Sequence, residues 1–211
     1  MLRALLSRLR SGIYRFLRIG CRWAAITLWR VRVYGVRNVP ATGGVVLASN
    51  HQSFLDPVLV GLGLRREIHS MARTTLFRNP AFRALIVALN AFPVERDSGD
   101  VKGVKEALRR LKAGHALVVF PEGTRTRDGL VAPMKGGIRL LAERAAVPVV
   151  PVLIEGAFAV WPRTRGFPGF GTVNVLFGPP VRLEGDAFAQ RLQEAVRSLH
   201  ESCHRRIQRS M

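Results

Sequence analysis

The stretch "NHQSFLDP", residues 50–57, places a histidine and an aspartate with four residues between them and closes on a proline. An imidazole titrates near neutrality and is the usual general base, and a carboxylate bonded to its far nitrogen fixes the tautomer and stabilises the imidazolium. His51 and Asp56 are therefore candidates for a base and its orienting partner, suited to drawing a proton from a weak nucleophile such as an alcohol. A plainer reading needs the aspartate alone. The residue before a proline avoids helical angles, so Asp56 can serve as the N-cap of a helix with Pro57 at its first position.

A second group, "FPEGTRTR" at residues 120–127, combines a carboxylate, a glycine that lets backbone amides turn outward, and two arginines. Outward amides and guanidinium forks suit a phosphate ester. The alternative is a surface turn in which Glu122 pairs with Arg125. Arg96 in "AFPVER" and Lys135 in "MKGG" would add two more cations, although Arg96 can equally be a solvated partner of Glu95 or Asp97.

These residues need a scaffold, and the pattern past Pro40 supplies an α/β one. "GGVVLASN" reads as a buried strand, followed by an apolar helix from Asp56-Pro57 through Leu64; "IHSMAR" is another strand. Asn79 and Pro80 mark a helix start, "AFPVER" returns as strand or loop, and "SGDVKGVKEALRRLKAG" is a helix stopping at Gly114. "HALVVFPEG" is a strand running into a glycine turn, "IRLLAERAA" a helix, "VPVVPVLIEG" and "TVNVLFG" strands, and an Arg-rich helix ends the chain. Strands alternating with helices predict a mainly parallel sheet covered by helices on both faces. Chemistry in such sheets gathers at the strand ends. His51 follows "VVLAS" and the 120–127 turn follows "ALVVF", so both are expected on one edge.

Composition narrows the surroundings. The 33 Lys and Arg against 14 Asp and Glu give a net charge of +19, almost all from arginine, which attracts nucleic acid, an acidic membrane or an acidic carrier protein alike. No helix-turn-helix, zinc-finger or RNA-recognition signature is present, so no specific nucleic-acid partner is expected. Cys21 and Cys203 stand far apart outside any Cys-x-x-Cys pattern, which fits a reducing compartment and neither a disulfide scaffold nor a zinc ribbon.

Residues 1–33 read differently from the rest. Leu2, Leu5, Leu6, Leu9, Ile13, Phe16 and Leu17 recur at helical spacing, with Arg3, Arg8, Arg10, Arg15, Arg18 and Arg22 on the other faces. The longest uncharged run after Arg22, "WAAITLW", is far short of the roughly 20 residues a spanning helix needs. A basic amphipathic helix lying in a membrane interface is expected, as a segment 1–33 ahead of a domain 34–211. The competing possibility is a helix packed on the domain's own core.

Taken in order, "NHQSFLDP", "AFPVER", "FPEGTRTR" and "VPVVPV" resemble the four motifs of the lysophospholipid acyltransferases, in the 1-acylglycerol-3-phosphate acyltransferase branch of the glycerolipid acyltransferases. The resemblance covers roughly residues 35–180; Ala91 departs from a frequent glycine at the start of the second motif. It implies transfer of a fatty acyl group from acyl-CoA or acyl carrier protein to a lysophospholipid hydroxyl. The acceptor implied first is 1-acyl-glycerol-3-phosphate, giving phosphatidic acid, and another lyso-lipid such as lyso-ornithine lipid is the alternative. His51 would be the base and Asp56 its orienter, with Arg96, Glu122, Gly123, Thr124, Arg125 and Lys135 toward the acceptor. No metal or prosthetic group is implied, and the enzyme would sit on the cytoplasmic face of a membrane as a peripheral or monotopic protein. Ser53 lies near His51 without a G-x-S-x-G elbow, so a covalent intermediate is not required.

Two other readings compete. The charge alone would suit a non-catalytic basic module that binds membrane or nucleic acid. "HESCH", residues 200–204, satisfies the H-E-x-x-H zincin pattern. Only "RRIQRSM" follows it, with no extended third-ligand motif, so a solvated terminal face is expected there. His69 and His115, in strand-like contexts, are expected to be structural.

Overall fold

The computed structural model describes residues 2–95, 100–185 and 187–208, with side chains from residue 12 onward apart from those of 206 and 207. The chain opens with α1 (Leu2–Trp29) and the short strand β1 (Arg32–Tyr34). Then come β2 (Val45–Ser49), α2 (Asp56–Leu62), β3 (Ile68–Arg73), α3 (Pro80–Ala88), β4 (Ala91–Val94), α4 (Val101–Lys112) and β5 (Ala116–Val119). The last part runs α5 (Gly137–Ala145), β6 (Val149–Glu155), α6 (Ala157–Val160), β7 (Asn174–Phe177) and α7 (Phe188–Gln208).

Local chemistry accounts for the helix boundaries. Asn79 caps α3, its side chain accepting from the Phe82 amide at 3.0 Å, with Pro80 at the first helical position. Asp100 does the same for α4 through the Gly103 amide at 2.9 Å, and Arg109, Arg110 and Lys112 occupy its last turn, where the helix dipole favours cations. Gly114 takes the left-handed conformation just past its end, as the sequence leads one to expect.

Among the described residues one sheet has the order β1-β7-β6-β2-β5-β3-β4. From β6 to β4 all neighbours are parallel; β7 runs antiparallel to β6 and carries β1 parallel to itself. The expected mainly parallel sheet is therefore present, with a reversed pair at one edge. Side chains alternate between its faces. Val45, Leu47 and Val118 meet α1, α2 and α6 on one side, whereas Val46, Ala48, Leu117 and Val119 meet α4, α5 and α7 on the other. Burial on both faces explains why these strands are continuous apolar runs.

The connection from β2 through α2 to β3 leaves a gap that β5 later fills, and β6 then adds to the other side of β2. Such a reversal of strand order opens a crevice at the carboxyl ends of the strands. Ala48 of β2 pairs with Val119 of β5, so residues 50–56 and 120–130 leave the sheet side by side. The expected common edge is what the fold provides.

The N-terminal segment is built into this scaffold. Tyr14, Ala25 and Trp29 of α1 are buried, the Tyr14 hydroxyl accepts from the Ile68 amide at 3.2 Å, and Arg18 donates to the Leu64 carbonyl at 2.7 Å. Ile13, Phe16, Ile19, Trp23 and Ile26 face outward. The apolar positions expected at Leu2, Leu5, Leu6 and Leu9 lie outside the described side chains. The boundary expected between residues 33 and 34 falls inside β1, a strand of the main sheet. Among the described residues no helix is long and apolar enough to cross a membrane.

Candidate functional site

His51 emerges two residues beyond β2, and its Nδ1 lies 2.7 Å from Asp56 Oδ2. The same carboxylate oxygen accepts from the backbone amides of Gln52 at 2.6 Å and Ser53 at 2.8 Å. Asp56 is fully buried and is itself the first residue of α2, preceded by Leu55 in a helical conformation. This corrects the capping alternative: Asp56 does not turn forward to the amides of its own helix but backward onto the 51–53 loop. With Nδ1–H committed to a carboxylate, Nε2 is the ring atom left with a lone pair. Phe120, directly after β5, stacks on the imidazole with centroids 4.0 Å apart and planes 16° apart.

The two loops are stitched together by residues that the sequence does not single out. The Thr126 amide donates to the His51 carbonyl at 2.8 Å, and Gln52 Nε2 donates to the Gly129 carbonyl at 2.9 Å. Asn50 bonds Ile154 of β6 in both directions, donating to its carbonyl at 2.9 Å and accepting from its amide at 2.7 Å. Asn50 and Gln52 flank His51, so their place in the motif was the signal available.

His51 opens into a groove of about 870 Å³ whose walls are mostly apolar. Tyr14, Cys21 and Ala24 of α1, Val58 and Gly61 of α2, and Phe82, Leu85 and Ile86 of α3 contribute, and Arg73, Arg125 and Arg163 stand along it. Space of this size suits a lipid chain, and α1 supplies part of its wall.

The remaining predicted site residues divide. Thr124 and Arg125 line the groove, with the Arg125 guanidinium carbon 3.5 Å over the Phe54 ring. Gly123 has a φ of 77°, and a Cβ built there would come within 3.2 Å of Lys135 Nζ, so glycine at this turn and Lys135 lie against each other. Glu122 does not line the groove. It is 7% exposed, and burial pushes its carboxyl up to about 7, aided by the charges of Asp56 and Asp128 and opposed by the dipoles of the His51 and Ala132 amides. Arg96 lies outside the described residues.

Ser53 is fully buried, its Oγ accepting from the Leu55 amide at 3.3 Å, away from the groove lining. His69 packs on His115 with centroids 4.2 Å apart and bonds Arg110, which also donates to the Asn90 carbonyl. Burial first, then the neighbouring His115 and Arg110, hold His69 down at about 3, so it stays neutral and structural.

A family model described as "Acyltransferase" matches residues 30–155 of this chain. A Bacillus subtilis protein named 1-acyl-sn-glycerol-3-phosphate acyltransferase is 30% identical over 180 residues, covering 84% of this chain and 86% of its own. A Pseudomonas aeruginosa protein of the same name is 27% identical over 184 residues, covering 82% of this chain and 70% of its own. Two chloroplastic relatives, from Brassica napus and Arabidopsis thaliana, are longer, and the chain spans about half of each. The crystal structure of the 1-acyl-sn-glycerophosphate acyltransferase PlsC from Thermotoga maritima superposes with a TM-score of 0.73 at 29% identity, covering 94% of this chain and 79% of that one.

Proposed function

The chain belongs to the acyltransferase family, and from that premise we propose that it esterifies the free hydroxyl of 1-acyl-glycerol-3-phosphate with a fatty acyl group from a thioester donor, giving phosphatidic acid. The observation that carries this reading is the His51–Asp56 pair at the wall of a lipid-sized groove beside Arg125. As an acyltransferase, the chain puts its basic surface to work for an enzyme rather than for a stand-alone binding module.

Nε2 of His51 takes the proton of the acceptor hydroxyl as its oxygen attacks the thioester carbonyl. Asp56 stabilises the imidazolium that results. Collapse of the tetrahedral adduct breaks the C–S bond, and the proton passes from the imidazolium to the departing thiolate. The C–O bond gained balances the C–S bond lost, so neither a covalent enzyme intermediate nor a metal is needed. General-base assistance of this kind contributes about 10²- to 10⁴-fold.

Binding energy comes from two chemistries. Each buried methylene of an acyl chain contributes about 0.8 kcal/mol in the groove. The headgroup phosphate is met by Arg125, assisted by Arg73 and Arg163 along the groove and by Lys135 over the Gly123 turn. Glu122 supports this turn from within.

Lipid substrates imply a membrane surface. Ile13, Phe16, Ile19, Trp23 and Ile26 form an outward apolar row on α1, and the buried Trp29 at the end of that helix ties it to the 162–171 loop, its Nε1 donating to the Gly169 carbonyl at 2.9 Å. That loop presents Phe167 and Phe170, 84% and 83% exposed, beside Arg163 and Arg165. Aromatic side chains flanked by arginines are the chemistry of an anionic bilayer interface.

The deciding experiment supplies purified protein with lysophosphatidic acid and acyl-CoA, or acyl carrier protein, in mixed micelles. Thioester-dependent formation of phosphatidic acid is expected. A panel of acceptors that includes lyso-ornithine lipid, with faster turnover on another member, would reassign the acceptor; no transfer to any of them would overturn the reading.

A further inference from the structure

His200 and His204 stand one helical turn apart on α7, and the sequence offers them no third ligand nearby. The fold brings one from another element. Glu155, the last residue of β6, places Oε2 3.3 Å from His200 Nε2, which is 3.1 Å from His204 Nε2. The three ligand atoms lie within 4.8 Å of one another. Ligands held about 2.0–2.1 Å from a tetrahedral zinc ion are separated by about 3.3 Å, close to the two separations that involve His200 Nε2.

Hydrogen bonding alone serves this cluster poorly. If His200 Nε2 carries a proton, that single proton must be shared between the Glu155 carboxylate and the lone pair of His204. If it does not, its lone pair faces the carboxylate. A cation among the three satisfies all of them at once, since two imidazole lone pairs and a carboxylate are all electron donors toward it. The pair is also reachable, the His200 and Glu155 side chains being 39% and 23% exposed.

We propose that Glu155, His200 and His204 form a binding site for a borderline divalent cation of the zinc class, clamping α7 to the end of β6. Two imidazoles and one carboxylate are a zinc-type donor set, and they leave a fourth tetrahedral position for water. The site is not a zincin centre. Glu201, which that motif would use as base, is 69% exposed and reaches Arg205 at 3.9 Å instead of the cluster. Its position matters to the fold: Glu155 follows Ile154, whose backbone holds Asn50 next to His51. The assignment is independent of the acyl-transfer reading.

Full-length protein, freed of metal by chelator and dialysis, is titrated with zinc chloride by calorimetry, alongside Glu155→Gln and His204→Ala variants checked for folding by circular dichroism. One zinc per chain is expected, with affinity at least tenfold weaker in each variant. The wild-type Tm should rise by about 5–10 °C at free zinc 100-fold above its Kd, since zinc binds the folded form. Cobalt substituted for zinc should give the strong visible bands of a tetrahedral site without thiolate charge transfer. Absence of stoichiometric zinc binding by the wild type, affinity unchanged in both variants, or a thiolate signature from Cys203 would each overturn the proposal.

Discussion

The ring of Phe120 lies flat on the imidazole of His51, 4.0 Å between centroids and 16° from coplanar. One side chain comes from the end of β5 and the other from the loop after β2, so the plane of the imidazole is set jointly by two strands. Asp56 fixes its rotation from below through Nδ1. Phe120→Leu should keep β5 buried while releasing the ring. Turnover is expected to fall about tenfold with little change in KM, as for a near-attack geometry loosened by a fraction of an ångström. A change confined to KM would mean that Phe120 contacts substrate and does not position the base.

His51→Ala should lower turnover by about 10²- to 10⁴-fold with the fold intact by circular dichroism. Near wild-type turnover would remove His51 from the reaction.

Asp56→Asn should do more than slow the reaction. The ionised oxygen receives His51, the Gln52 amide and the Ser53 amide together, and hydrogen bonds to a charged group contribute about 1.5–3 kcal/mol. A lower urea midpoint is expected alongside lost turnover; lost turnover with unchanged stability would confine Asp56 to orienting the histidine.

Glu122 gives a pH signature. Its folded value, about 7, lies above the ordinary 4.5, so the folded state holds a proton that the unfolded chain releases. The resulting cost is absent below about pH 4.5, grows between 4.5 and 7, and is constant above, at about 1–3 kcal/mol. Glu122→Gln should therefore match the wild-type Tm at pH 4 and exceed it at pH 8 by a few degrees. An equal difference at both values would show that the carboxyl is not held up by burial.

Filling the groove should shorten the chains it accepts. Ala24→Trp introduces a large side chain from α1 into the lining. At about 0.8 kcal/mol per buried methylene, each methylene displaced lowers kcat/KM for long donors about fourfold relative to short ones. A uniform loss across chain lengths would place the acyl chain elsewhere.

Replacing Phe167 and Phe170 by serine should weaken pelleting with anionic vesicles while leaving turnover on micellar substrate intact. Unchanged pelleting would remove Phe167 and Phe170 from the membrane contact.

Residues 50–57 and 120–127 announced themselves by type and spacing, and continuous apolar strand runs alternating with helical patterns were enough to predict two strand ends on one edge of a parallel sheet. Local patterns carry that much because capping, strand burial and helix periodicity are set by near neighbours in sequence. Long-range contact settled the rest. Asp56 turned backward to His51 because Gln52 and Ser53 offered it amides, a choice that X-Asp-Pro chemistry leaves open. Glu122, expected toward the acceptor, is buried by the packing of the adjoining loop, and Tyr14, Ala25 and Trp29 of α1 join the core while β1 joins β7. Glu155 and His200 lie 45 residues apart and meet only because β6 packs against α7. No local rule encodes which side chains a sheet and a helix will bring face to face, since that depends on the order in which strands find their neighbours.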